Sequence, residues 1–240
     1  MTVNMTLGFE LATLGDESRR MRQVSIGSRV YDSIRKAIVQ LGFRPGEPLS
    51  EAEIGRQLGV SRQPVREAFI KLAEVGLVEI RPQRGTFVRL ISIREVQNAR
   101  FLREAIEVAI VRKAVAEVEP ADLAAIEAAV EGQRTAAARG DNVAFLRLDD
   151  AFHQAIAGGA DCEDAWRVLE SLKAQMDRVR YLSLPNATPL DVIIDQHVRI
   201  VEALKIRDAS GADAAMRGHL SEVLTSLPKL AAANPGLFTD

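Results

Sequence analysis

Asp149 and His153 stand four residues apart in this 240-residue chain, a spacing that puts a carboxylate and an imidazole on one face of a helix. Leu148, Phe152 and Ile156 flank them as an apolar stripe, so the pair is expected to point inward. His197 follows Ile193 and Ile194 and precedes Ile200 and Val201, and His219 lies between Met216 and Leu220. These are the chain's three histidines, each beside apolar positions of a helical pattern. A bare imidazole or carboxylate in a bundle core is costly. Two arrangements relieve it: separate hydrogen bonds to core partners, or convergence of all four groups on one divalent ion. Three nitrogens and one oxygen suit Zn²⁺ foremost, with Ni²⁺, Mn²⁺, Fe²⁺ or Co²⁺ as alternatives, and leave positions open for water or a ligand. Arg103 lies near Ala99, Ile106 and Ile110 on the inward side of an earlier helix. A guanidinium there suits a bidentate clamp on a carboxylate, or an interhelical salt bridge. Arg178 and Arg180 read as solvated or ion-paired.

A second constellation is basic and amidic. Arg62, Gln63 and Arg66 fall on one side of a short helix whose other side carries Val65, Ala68 and Leu72. At the start of a recognition helix, arginine can bond bidentately to guanine and glutamine to adenine. Ser61 caps that helix, and its hydroxyl can meet a phosphate. Arg84 and Gly85 sit at the tip of a two-strand signal, where a side chain can reach a neighbouring groove. By themselves, Arg62, Gln63 and Arg66 fit an ordinary solvated face equally well; the order of elements around them carries the DNA reading.

That order begins with helical spacing from Ser28 to Leu41. Ser50 and Glu53 form a capping box before Ile54 and Leu58, and Gly59 closes that helix. Pro64 falls in the first turn of the next, where its missing N–H costs nothing, and Gly76 ends it. Val78 to Arg81 and Thr86 to Leu90 read as strands. Beyond Ile91 the pattern is helical throughout: Ser92 to about Val118, Pro120 to Gly140, Asp141 to Gly158, Asp161 to about Leu184, Thr188 to about Arg207, and Ser210 to Pro228, which ends or kinks the last helix. The expected fold is mainly α, an N-terminal winged helix-turn-helix joined to a C-terminal antiparallel all-helical bundle. Residues 1–26 read as a mobile arm, 27–91 as the DNA-binding domain and 92–232 as the bundle.

Composition supports this division weakly. Residues 1–90 carry 14 Lys and Arg against 10 Asp and Glu, while residues 91–240 carry 17 against 23. The single cysteine, Cys162, excludes an intrachain disulfide and any multi-cysteine zinc site. No apolar run approaches the roughly 20 residues of a membrane span, and no secretory signal is evident, so the expected location is cytoplasmic.

The run Leu49-Ser50-Glu51 through Leu58-Gly59-Val60-Ser61-Arg62-Gln63-Pro64-Val65-Arg66-Glu67-Ala68, then Gly76-Leu77-Val78 and Arg84-Gly85-Thr86, resembles the GntR family of bacterial transcription regulators. The resemblance implies DNA contacts from Arg62, Gln63, Arg66 and the Arg84-Gly85 wing. Many members carry a basic residue where this chain has Ala52, so that phosphate contact is not expected. Leu148-Asp149 with Phe152-His153, the His197 helix and Met216-Arg217 with His219-Leu220 resemble the C-terminal domain of the FCD subfamily. There the residues matching Asp149, His153, His197 and His219 bind a divalent metal. Arg103, with Ile106-Glu107, resembles a motif whose arginine faces an effector cavity. Together these imply a homodimeric, non-enzymatic regulator, a repressor, on a pseudo-palindromic DNA operator, controlled by a small carboxylate effector. Two rivals stay open: a metal-dependent helical-bundle hydrolase or oxygenase, and a sensor of the ion itself. The absence of a His-Glu-x-x-His run and of an extra carboxylate placed as general base weighs against the enzyme.

Overall fold

The computed structural model describes residues 25–184 and 189–240. The expected arm, save for Ser25 and Ile26, lies outside the described residues, as does the helix start at Thr188. Two compact units are distinguished: residues up to Ile91 with Gly236–Phe238, and Ser92–Pro235 with Thr239–Asp240.

In the first unit, α1 (Ile26–Val39) is capped by Ser25 and buries Val30, Ile34, Ala37 and Ile38. It packs on α3 (Arg62–Glu74), which buries Val65, Ala68, Phe69 and Leu72. Between them in sequence lies α2 (Glu51–Leu58), whose cap Ser50 accepts from the Glu53 amide at 3.3 Å. Gly59 ends α2 at φ +69°, a left-handed cap open to glycine without steric cost. Gly55 allows the tight turn, since a Cβ there would stand 2.9 Å from the Val60 carbonyl oxygen.

The wing is β2 (Val78–Arg81) paired antiparallel with β3 (Gly85–Val88), with Val78 opposite Val88 and Arg81 opposite Gly85. A third strand, β1 (Pro48–Leu49), pairs with the other edge of β3. Two residues, one of them proline, are too few to show alternation, so sequence reasoning missed β1. A separate pairing joins β4 (Ile91–Ser92) to β5 (Phe238–Thr239), also too short for a sequence signal.

The second unit is helical: α4 (Ile93–Glu117), α5 (Pro120–Ala138), α6 (Asn142–Gly158), α7 (Glu163–Leu172), α8 (Ala174–Ser183), α9 (Leu190–Lys205) and α10 (Ala209–Ala233). The segment expected as one helix from Asp161 to Leu184 is two. Lys173, at the break, is buried, and its ammonium donates to Asp150 at 2.7 Å and lies 3.2 Å from Asp177. The break therefore coincides with a contact to α6, which local periodicity does not carry. Asp161 has a positive φ and precedes the N-cap Cys162, and Asp208 rather than Ser210 caps α10. Pro228 sits inside α10, which continues to Ala233. The carbonyl it leaves without a donor belongs to exposed Leu224, where water can serve it. Val111, Ile126, Phe145, Phe152, Ile200 and Leu204 are fully buried and belong to one continuous core.

Candidate metal centre and nucleic-acid interface

Near the middle of that core four polar side chains meet. Asp149 and His153 come from α6, His197 from α9 and His219 from α10, all buried, with one ligand atom from each lying within 4.8 Å of the others. His219 Nε2 is 3.1 Å from His153 Nε2 and 3.3 Å from His197 Nε2. The Asp149 carboxylate lies 3.5 Å from His197 Nε2 and 3.9 Å from His153 Nε2. The two Nε2–Nε2 distances fall within the roughly 2.8–3.4 Å that separates nitrogens about 2.0–2.1 Å from a shared ion at angles between about 90° and tetrahedral.

The outward-facing nitrogens decide what the inward ones are. His197 Nδ1 donates to Gln133 Oε1 at 2.7 Å, and His219 Nδ1 donates to Gln196 Oε1 at 3.0 Å. Each amide is itself oriented: Gln133 Nε2 donates to the Leu148 carbonyl at 3.2 Å, and Gln196 Nε2 to Glu222 Oε2 at 3.2 Å. Neither amide can turn without losing its acceptor, so both Oε1 atoms face imidazoles. His153 Nδ1 lies 2.6 Å from Glu107 Oε2, close enough for an ion pair though the ring N–H does not point straight at the oxygen. With Nδ1 protonated, each Nε2 carries a lone pair, and the lone pairs face one another. Without a proton or cation between them this arrangement is repulsive; with a divalent ion it is a donor set whose outer partners hold each ring in place. Burial sets the protonation: it pushes His197 down to about 3 and His219 well below the usual histidine value. Those two rings are thus neutral at neutral pH. Phe152 stacks on His197 with ring centroids 4.1 Å apart.

Two arginines border the cluster. Arg103 is 5% exposed; its Nε donates to Glu107 Oε1, and its Nη2 is buried without a hydrogen-bond partner. Burial raises Glu107, but the charges of Arg103 and His153 outweigh it and bring the carboxyl to about 2. Arg180, read as solvated or ion-paired, is ion-paired: Nη2 donates to Asp149, and Nη1 to Asp150 at 3.0 Å and Asp177 at 2.7 Å. Arg178 is fully buried, so solvation is not its role. A cavity of about 60 Å³ opens beside these groups, with Arg103, Asp149, Arg180 and His219 on its wall.

Sequence reasoning missed Gln133, Gln196 and Glu222. Gln133 was detectable as an inward polar residue on an alanine-rich helix. Glu107 had a signal too, four residues from Arg103. Gln196 and Glu222 had none, since an amide turned by a distant carboxylate leaves no periodic trace.

In the first unit the basic constellation is exposed. Ser61 occupies the N-cap of α3 without using its hydroxyl as a cap, and Arg62 and Gln63 follow at the helix start. Arg66 donates from Nε and Nη2 to the two carboxylate oxygens of Glu51, at 2.9 and 2.8 Å, and Gln63 donates to Glu67 at 2.9 Å. Ala52 is exposed, and Arg56, one turn on, is held by Glu53. Arg84 and Gly85 are exposed at the wing, behind a turn in which Gln83 and Gly85 take positive φ. Arg81 lies over the Phe87 ring at 4.7 Å.

Residues 26–88 match the family described as "Bacterial regulatory proteins, gntR family", and residues 99–222 match the FCD domain. The chain belongs to the GntR family of bacterial transcription regulators. It is 42% identical over 215 residues to the HTH-type transcriptional repressor RspR of Escherichia coli K12, covering 90% of this chain and 94% of that one. A GntR regulator from Rhodococcus sp. RHA1 superposes with a TM-score of 0.72 at 26% identity, over 88% of this chain and 99% of its own. Escherichia coli McbR/YncC shares the fold, with a TM-score of 0.75 at 23% identity over 88% and 99% of the two chains. This GntR protein is thus a DNA-binding transcription regulator with a helical FCD domain. Among its described residues no helix is long and apolar enough to cross a membrane.

Proposed function

We propose that this regulator is a cytoplasmic homodimeric repressor whose operator affinity is set by a small organic acid bound beside a divalent metal ion. Asp149, His153, His197 and His219 would hold the ion, zinc foremost, with nickel, manganese, iron or cobalt as alternatives. The convergence of three Nε2 lone pairs, each ring held by its own outer partner, carries this reading. When bound, the ion supplies open coordination positions for a ligand oxygen. Arg103 supplies the other half of the effector site, because it borders the cavity and its buried Nη2 has no protein acceptor. A carboxylate there would satisfy a donor that is otherwise costly to bury.

Residues 27–91 are the reading head and residues 92–232 the sensor. Arg62, Gln63 and Arg66 reach base edges, Ser61 meets a phosphate, and Arg84 with Gly85 enters the neighbouring groove. Two heads would address the half-sites of a pseudo-palindrome. The name of RspR as a repressor supports that sign of regulation. The effector acts only by binding one dimer state more tightly than the other. Elemental analysis and native mass spectrometry of gently purified protein test the first half: one metal per chain and a dimer are expected. Operator titrations with and without organic acids test the second; DNA affinity indifferent to every acid removes the effector. A role as a catalytic base is not favoured for Glu107, because its carboxyl is held at about 2.

A further inference from the structure

The cavity beside the four-residue cluster is more selective than "organic acid" implies. Two guanidiniums border it, but Arg180 is committed to Asp149, Asp150 and Asp177. Arg103 is bonded through Nε to Glu107 and keeps one buried donor, Nη2, without an acceptor. One anionic group therefore has a buried partner waiting. The surrounding charges agree. Arg180 and Lys173 stand against Asp149, Asp150 and Asp177, and Arg103 against Glu107. A divalent ion at Asp149 turns that balance into one net positive charge, and Glu222 on the same wall cancels it, so a dianion overshoots further than a monoanion.

The remaining walls argue the same way. Glu222 lines the cavity and is held in place by the Gln196 amide, so a ligand's second carboxylate would approach a fixed like charge. Met176, Leu184 and Ile193 line the cavity with apolar side chains that favour a hydrocarbon tail. A sugar acid's hydroxyls would find few partners on that apolar wall.

Resting on the reading that Arg103 takes an effector acid, we propose that the cavity selects a short monocarboxylate with an apolar or singly hydroxylated tail, and that Glu222 is the residue that rejects dicarboxylates. The test uses full-length, zinc-loaded protein and calorimetric titration at matched ionic strength with propionate, butyrate and lactate against malonate and succinate. At least one monocarboxylate is expected to bind tenfold or more tighter than either dicarboxylate. In Glu222→Gln that ratio is expected to fall toward one, through tighter dicarboxylate binding, with metal content measured on the same sample. A wild-type preference for malonate or succinate overturns the proposal whatever the variant does. An unchanged ratio in a metal-replete Glu222→Gln removes Glu222 as the selector. If no acid of either kind binds the zinc-loaded protein, the effector reading fails with it; binding with the wrong preference sinks only the selectivity.

Discussion

His153 Nε2 and His219 Nε2 face each other across 3.1 Å in the core, while His219 Nδ1 donates to Gln196 Oε1 and His153 Nδ1 lies 2.6 Å from Glu107 Oε2. On the proposed function such a pair is a ligand set, and two predictions test it. Replacing His197 with Ala is expected to abolish stoichiometric metal while leaving the reading head folded. Gln196→Leu, which removes only the acceptor for His219, is expected to weaken metal affinity by roughly 10–100-fold. Elemental analysis and competition with a chelator read both. A His197→Ala protein that retains a full metal complement would remove that ring from the site.

At the DNA end, Arg66 is locked to Glu51 by two hydrogen bonds. Arg66→Ala is expected to weaken specific operator binding by about 1–3 kcal/mol and spare non-specific binding. Glu51→Ala is expected to loosen the guanidinium and relax base preference at the same operator position. The two costs should not add, since both changes act on one contact. Binding titrations on operators varied at single positions measure this; additive costs would separate the residues.

Arg180 is ion-paired with Asp149, and it also serves Asp150 and Asp177. Burial works against its charge, but the three carboxylates outweigh that and hold it charged well above the usual arginine value. Arg180→Ala leaves a cluster of carboxylates short of a partner inside the bundle. The expected cost is about 3–5 kcal/mol of unfolding free energy, read by urea denaturation of metal-free protein. A loss under about 1 kcal/mol would mean that water already serves these carboxylates.

Acid should destabilise the metal-free bundle over a defined range. Unfolded, His197 takes a proton near its ordinary value of 6.5; folded, burial holds it neutral down to about 3. Its contribution is therefore present above pH 6.5 and is lost as pH falls from there toward 3. Glu107 acts in the same direction: its contribution is present above 4.5 and is lost as pH falls toward 2. The urea midpoint should decline from pH 6.5 to pH 4 through His197 and further from pH 4.5 toward pH 2 through Glu107; a flat profile in either range would contradict the residue assigned to it. Metal loading steepens the decline, because its ligands must be unprotonated.

The parts of this molecule that repeat with a local period were legible. Ile54, Leu58, Val65, Ala68 and Leu72 announce the two helices of the reading head, and the spacing of Asp149 and His153 announces an inward polar face. What was illegible depends on contacts between segments far apart. The break at Lys173 coincides with an ion pair to Asp150, and β1 exists only because Leu49 finds Thr86. Gln196 could not be recognised as an outer partner, because its orientation is set by Glu222, 26 residues away. The arginines show the same limit: Arg103 faces inward as its spacing predicts, but packing between helices distinguishes its unmet Nη2 from the engaged guanidinium of Arg180.

The cluster also sets an order of events at the ribosome. His153 and His219 are 66 residues apart, so synthesis at roughly 5–20 residues per second delivers the second roughly 3–13 s after the first. The helix-turn-helix, all of it upstream of α4, emerges before either. On the proposed function, a newly made chain thus presents its DNA-reading surface while the ion site still lacks His219. Each molecule would begin life as a reader without a sensor, and would acquire its responsiveness only as the last helix closes.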